Sequence, residues 1–356
     1  MQKVIAKINL GHIRNNAAAF ASLTKRKLIA VVKANAYGHG AEETVNALSG
    51  VSDGFAVALI EEGVAIRQAA CGKEILVFTP PTDEEEVFLL AANGFSATVG
   101  DLWTARLVAA VCERHQLPLN VHLKINTGMN RYGMNISALG KVCKFLQGNS
   151  FVRVRGIYSH LAECSFVRAE KQREIFSSAV MVCKRYFSSL IAHLGGTYGA
   201  LLGEEFLFDA VRVGIGLYGY LPCQADLETG VKAEIVQGLR LEKGMAVYAK
   251  TVLKRKYTRG SVGYGKELSA DAELKSISVC RFGYADGFLR TQANGTDTSP
   301  THASHLCMDV CLRKKASGRG VYTVVMTDAD RTAKETETIS YEVLCAATRR
   351  AEFVYE

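Results

Sequence analysis

"LIAVVKANAYGHG" occupies residues 28–40. Five apolar residues run without interruption, a single lysine ends them, and small residues with two glycines follow. An unbroken apolar run of this length marks a strand buried on both faces, as in a parallel sheet. Working outward, the same texture recurs in "GFAVALI" (54–60), "EILVF" (74–78), "FSATV" (95–99), "LNVHLKI" (119–125), "VRVRGIY" (152–158), "LIAHL" (190–194) and "FDAVRVGI" (208–215). The segments between them space apolar residues as helices do, for example "EEGVAIRQAA", "DLWTARLVAAVCERHQ" and "RAEKQREIFSSAVMVCKRYFSS". Eight strand–helix units in about 200 residues imply an α/β fold, a closed (β/α)8 barrel of TIM type, over an open doubly wound sheet.

Beyond "LYGYLPCQADLETG" the pattern changes. "MAVYAKTVLKRKYT", "KSISVCRFGYA" and "YTVVMTD" alternate at period two without long helical stretches between them. Alternation of this kind belongs to antiparallel strands with one wet face. The expected division is a barrel over residues 9–229 and a mostly antiparallel β domain over 230–356. The opening "KVIAKINL" also alternates, so the strand within residues 1–8 is expected to join the second domain.

With 356 residues, 48% of them hydrophobic, the chain can bury two cores. No apolar stretch reaches the roughly 18 residues of a spanning helix, and "MQKVIAKINLGHIRNN" lacks a signal-peptide core. The expectation is a cytoplasmic chain without a membrane segment. Ten cysteines, Cys71, Cys112, Cys143, Cys164, Cys183, Cys223, Cys280, Cys307 and Cys311 among them, contain no CxxC pair. They read as free thiols in a reducing compartment, with no metal centre. The net charge of +8 is partly carried by "KTVLKRKYTRG" (250–260). That segment matches no nucleic-acid module and reads as a solvated strand edge.

In a parallel barrel, chemistry sits at the carboxyl ends of the strands. Lys33 stands at such an end, where apolar walls lower an amine's pKa and let it attack a carbonyl carbon. On spacing alone, a lysine pointing into water is an equal reading. The wider pattern separates the two. "VVKANAYGHG" resembles the pyridoxal phosphate lysine motif of bacterial alanine racemases. In the order that family shows, there follow "HLKINTGMNRYG" (122–133), "YSHLAE" (158–163), "RVGIGLYG" (212–219), "SVGYGKE" (261–267), "GYADGF" (283–288) and "CMD" (307–309).

The resemblance implies an isomerase, a pyridoxal 5'-phosphate alanine racemase, working as a homodimer with shared active sites on a small amino acid. It makes Lys33 the cofactor lysine and one of two bases. Tyr264, reaching in from the partner subunit, is the other. His160 would contact that tyrosine and an arginine. Arg212 would face the pyridine nitrogen; a guanidinium keeps its proton, so that nitrogen stays unprotonated and the electron sink is weaker than in transaminases. Tyr37, Thr197 and the backbone at Gly214 and Ile215 would hold the phosphate. Arg131 would approach the substrate carboxylate, with Lys124 matching a lysine often carbamylated in the family. The Met308 N–H would complete carboxylate binding from the partner.

The chain departs from the family pattern in several places. The usual "HxxNS" is "HLGGTYGALL" (193–202), and an expected acidic residue is Asn126. The usual "SYRVPR" is replaced within "YEVLCAATRRAEFVYE" (341–356), which puts Arg349 at the place of a pocket tyrosine. These features resemble the serine/alanine racemase domains of glycopeptide-resistance clusters, and Arg349 could donate to a substrate hydroxyl. The segment 290–309 also lacks the usual apolar strand before "CMD". Serine preference is therefore the alternative substrate reading. A fold-related pyridoxal decarboxylase and a non-catalytic cofactor carrier are more distant, since neither calls for both "VGYG" and "CMD". The expected role is D-amino acid supply for peptidoglycan.

Overall fold

The computed structural model of the protein describes residues 4–256, 261–262, 266–267, 276–288, 305–313 and 318–356. The chain forms two compact units, one from His12–Ala36 and Ala41–Glu242, the other from Met1–Gly11, Tyr37–Gly40 and Lys243–Glu356. It opens with β1 (Val4–Ile8) and α1 (Leu10–Thr24).

Eight strands build the first unit: β2 (Lys27–Val31), β3 (Gly54–Val57), β4 (Glu74–Val77), β5 (Ser96–Val99), β6 (Leu119–Lys124), β7 (Val152–Tyr158), β8 (Ile191–His193) and β9 (Ala210–Val213). They are parallel and ordered β8-β7-β6-β5-β4-β3-β2-β9, so the last strand lies beside the first. Between β8 and β9, Asp209 N donates to Ala192 O at 2.9 Å and Arg212 N to Gly195 O at 2.9 Å. Every residue of β3, β5 and β9 is buried. That is the structural counterpart of the unbroken apolar runs. The barrel expectation holds.

Helices follow the strands: α2 (Lys33–Gly38), α3 (Ala41–Leu48), α4 (Ile60–Ile66), α5 (Glu84–Ala92), α6 (Leu102–His115), α7 (Ile136–Gln147) and α8 (Phe166–Lys184), with α9 (Ala233–Leu239) after the last strand. Asp83 and Asp101 cap α5 and α6, accepting from the N–H groups of Glu86 and Thr104. Each satisfies a donor that the helix leaves unpaired at its start.

In the second unit, β10 (Met245–Lys256) is the spine of a seven-stranded sheet. A short antiparallel pair, β11 (Ser261–Val262) and β12 (Lys266–Glu267), stands apart from it. The sheet continues through β13 (Ser276–Cys280), β14 (His305–Leu306) and β15 (Cys311–Arg313), with β16 (Tyr322–Met326) also on β10. β1 pairs antiparallel with β10 and parallel with β17 (Ala351–Tyr355). Two short helices, α10 (Ala329–Glu335) and α11 (Ser340–Ala346), complete the unit. Lys254, Arg255 and Lys256, at the basic end of β10, pair with β13 and are solvent-exposed.

Candidate active site

Lys33 follows β2 directly, and the chain then turns the wrong way. Ala34, Asn35, Ala36 and Tyr37 all have φ between 52° and 53°, so α2 is left-handed across four consecutive non-glycine residues. Such a backbone costs roughly 1–2 kcal/mol per residue. Specific bonds hold it. Glu62 accepts from Ala34 N at 2.7 Å while its other oxygen takes Ala58 N at 2.8 Å, and Asn35 Oδ1 accepts from Ala41 N at 2.8 Å.

Arg212, on β9, is buried at 4% exposure. Its Nη1 donates to His193 O at 2.7 Å and to His193 Nδ1 at 2.9 Å. Its Nη2 donates to Ser159 O and Leu194 O, with His160 Nδ1 farther off at 3.4 Å. Both terminal nitrogens are thus spent, while Nε donates to no described residue. Burial pulls the guanidinium down to about 10, which still leaves it charged at neutral pH.

Because arginine can only donate, the tautomers behind it follow in sequence. His193 Nδ1 accepts, so its Nε2 carries the hydrogen and donates to His122 Nδ1 at 2.8 Å. His122 Nε2 then donates to Glu74 Oε1 at 3.0 Å. Burial would raise the Glu74 carboxyl, yet hydrogen bonds from His122 and Ser96, with the charge of Arg155 nearby, hold it at about 2. Burial, reinforced by Arg212, drives both His160 and His193 well below the usual imidazole value, so both rings are neutral. Gly156 makes this possible, since a Cβ there would lie 2.3 Å from His122 Nδ1. His122, His193 and Glu74 were not singled out from the sequence. The available sign was a histidine inside each of two apolar runs, "LNVHLKI" and "LIAHL".

Thr197 accepts from Gly214 N at 3.3 Å and Gly216 N at 3.2 Å. Its own hydroxyl hydrogen and the Ile215 N–H go to no described residue. Buried donors are normally spent. Three donors on these buried residues, at Thr197, Ile215 and Arg212 Nε, have no acceptor among the described residues and suit a ligand carrying an anionic group and a ring nitrogen acceptor.

Lys124 ends β6, with its Nζ 4.4 Å from the Tyr158 ring centroid; Arg212 approaches the same ring at 5.2 Å. Burial, with repulsion from Arg212 and Arg131, pushes the Lys124 amine well below its usual value. Burial also lifts the Tyr158 phenol to about 12, and its hydroxyl pairs with Thr98 at 2.7 Å. Arg131 lies in the loop between Asn126 and Met134, whose base is closed by Asn126 N to Met134 O at 2.9 Å and Met134 N to Lys124 O at 3.0 Å. Asn126 organises that loop: its Oδ1 accepts from Gly128 N and Asn130 N, and its Nδ2 donates to Asn130 Oδ1. An amide thus does the capping a carboxylate could do, without the charge.

The first unit therefore brings together Lys33, Lys124, His160, Thr197, Arg212, Gly214 and Ile215, and Arg131 is close enough to act electrostatically on Lys124 and His160. Tyr37, Met308 and Arg349 belong to the second unit. There Tyr37 is buried, its ring centroid 6.0 Å from that of Tyr341. Met308 is 51% exposed in the turn between β14 and β15, and Arg349 is exposed just after α11. Tyr264 and most of the 290–309 segment lie outside the described residues. Among the described residues, no cluster of His, Cys, Asp and Glu is arranged to hold a metal ion.

Comparison with known proteins follows the same division of the chain. The family model of the alanine racemase N-terminal domain matches residues 8–222, and that of the alanine racemase C-terminal domain matches residues 244–355. An alanine racemase of Lactobacillus delbrueckii subsp. bulgaricus is 31% identical, over 98% of this chain and 96% of its own. The biosynthetic alanine racemase from Pseudomonas aeruginosa is 28% identical with a TM-score of 0.84, each chain covered in full. The alanine racemase from Bartonella henselae, solved with covalently bound pyridoxal phosphate, shares the fold at 24% identity and a TM-score of 0.81, again over 100% of both chains.

Proposed function

The chain belongs to the alanine racemase family, and on that premise we propose that it interconverts L- and D-alanine with pyridoxal 5'-phosphate as its cofactor. The observation that carries this reading is the set of donors at Thr197, Ile215 and Arg212 Nε that find no acceptor among the described residues. The cofactor has a phosphate and a pyridine nitrogen, and the residues present fit both: Thr197 and the Ile215 N–H the former, Arg212 Nε the latter. Tyr37 would donate its phenol to the same phosphate. When bound and attached through Lys33, the cofactor supplies an electron sink for the substrate Cα.

The residues do the rest. Racemisation needs one base on each face of the substrate Cα. Lys33 serves one face and Tyr264 of the partner subunit the other. His160 is neutral, so it can accept a hydrogen bond without adding positive charge to the site. Arg212 holds its proton against the ring nitrogen, because the carbonyls of His193, Ser159 and Leu194 and the neutral imidazoles that accept from it are far weaker bases than a guanidine. Arg131 and the Met308 N–H of the partner subunit bind the substrate carboxylate. The Lys124 amine, kept toward its neutral form, is the form that takes up carbon dioxide; the resulting carbamate would place a negative charge between Arg131 and Arg212. The enzyme acts as a cytoplasmic homodimer and supplies D-alanine to bacterial peptidoglycan. No helix among the described residues is long and apolar enough to cross a membrane.

Serine gains no specific support from the relatives, which are named for alanine. The test is one incubation of the cofactor-loaded protein with L-alanine, and in parallel with L-serine, in D2O. D-alanine with deuterium at Cα is expected, with a smaller yield from serine. Exchange without inversion would reject the two-base scheme, and a faster serine reaction would reverse the substrate order. Arg349→Tyr should lower the serine to alanine ratio if Arg349 lines the pocket.

A further inference from the structure

Residues 307–310 make the turn between β14 and β15, and a second turn grips it. Tyr284 N donates to Cys307 O at 3.1 Å, Ala285 N to Met308 O at 3.0 Å, and Cys307 N to Val310 O at 2.9 Å. A Cβ on Gly283 would lie 2.1 Å from Met308 O, so the approach requires glycine. The second turn has its own anchor: Asp286, 3% exposed, accepts from Gly283 N at 2.8 Å. Gly287, at φ 113°, passes so close to Ala346 that a Cβ would sit 1.8 Å from its carbonyl oxygen. Both carboxylates of this pair of turns face one cation. Arg350 Nη1 is 2.8 Å from Asp309 Oδ1 and 3.9 Å from Asp286 Oδ1. A lone exposed ion pair holds little, but here one carboxylate is buried and the other adjoins Met308. The Met308 carbonyl is taken, while its N–H donates to no described residue.

We propose that Arg350 is a positioning residue for substrate binding: by joining Asp309 to Asp286 it fixes the turn that presents the Met308 N–H to the substrate carboxylate. This rests on the carboxylate role given to Met308 above. Arg350 touches neither substrate nor cofactor. Its removal frees the turn to rotate, and the N–H is then aimed correctly only part of the time.

The experiment uses the cofactor-loaded enzyme and reads four quantities: KM and kcat for L-alanine, the inhibition constant of propionate, which has a carboxylate and no amine, and bound cofactor per chain. Arg350→Ala is expected to raise KM and the propionate constant together by about fivefold, the scale of one weakened hydrogen bond. In that variant kcat should stay within about twofold and cofactor content should be unchanged. Arg350→Lys, which keeps the charge but not the fork, should recover part of the loss. If Arg350→Ala does not fold, Asp309→Asn makes the same test at an exposed side chain. Met308→Pro deletes the N–H itself and tests the underlying reading separately. An unmoved KM in Met308→Pro overturns that reading and this proposal with it. A raised KM there with unmoved KM in Arg350→Ala or Asp309→Asn overturns the proposal alone. A fall in kcat and cofactor content with KM unmoved also overturns it, since that is what a merely structural arginine would show.

Discussion

At the scale of single residues, buried imidazoles set how this protein responds to acid. His160 and His193 have folded values well below the ordinary 6.5, with burial the first cause. The unfolded chain therefore binds their protons first. The stability they contribute is complete above pH 6.5 and is lost as pH falls below it, by up to about 1.4 kcal/mol per pH unit for each ring. Glu74, held at about 2 against an ordinary 4.5, adds a second loss that begins only below pH 4.5. Urea unfolding at a series of pH values should thus show stability falling more steeply below about pH 6.5 than above it, where the buried Lys124 amine still gains a proton on unfolding. His193→Asn should remove about half of the slope between pH 6 and 5, at a cost near 2 kcal/mol at pH 7 from the partners left unpaired. An unchanged slope would mean that His193 already carries its proton in the folded state.

Among the elements, the left-handed turn after β2 is where local preference and native structure oppose each other. Ala34 is exposed at φ 52°, a conformation that glycine adopts freely and alanine does not. Ala34→Gly should therefore stabilise the protein by about 1 kcal/mol, because relief of strain exceeds the added freedom of the unfolded chain. The check is a thermal or urea melt of the variant beside the parent. A destabilised variant would show that the turn is not strained at this residue. Glu62, which joins the turn to the start of α4, is the expected weak point, and its carboxylate also serves Ala58 N and Leu59 N.

For the whole molecule, the proposal that each site takes residues from two subunits can be tested by mixing inactive parents. Lys33→Ala and Tyr264→Phe should each lose activity alone, since on that proposal each removes one base from both sites of a two-fold dimer. Reassorted by mild denaturation and refolding, half of the dimers become mixed, and each mixed dimer has one intact site. About a quarter of the unmutated protein's activity should return. No recovery at equal mixing, with exchange confirmed by differently tagged chains, would place both bases within one subunit.

The architecture was legible in the sequence because burial on both faces forces a barrel strand to be apolar throughout, whereas a half-wet antiparallel strand must alternate. These are local constraints, written residue by residue into "LIAVV" and "MAVYAKTV". Local motifs singled out Lys33, Arg212 and Thr197 as candidates, since the proposed chemistry needs those residue types in a recognisable order. Which donors are spent was not. The terminal nitrogens of Arg212 are satisfied by Ser159, His193 and Leu194, and the chain of imidazoles behind it joins β9 to β8, β6 and β4. Nor does "ANAYGHG" announce a left-handed turn, since alanine and tyrosine prefer the opposite hand. Both were decided only by tertiary structure: a hydrogen bond between distant strands depends on where the closed barrel sets them side by side, and a strained φ persists only where contacts from elsewhere in the fold outweigh the local preference.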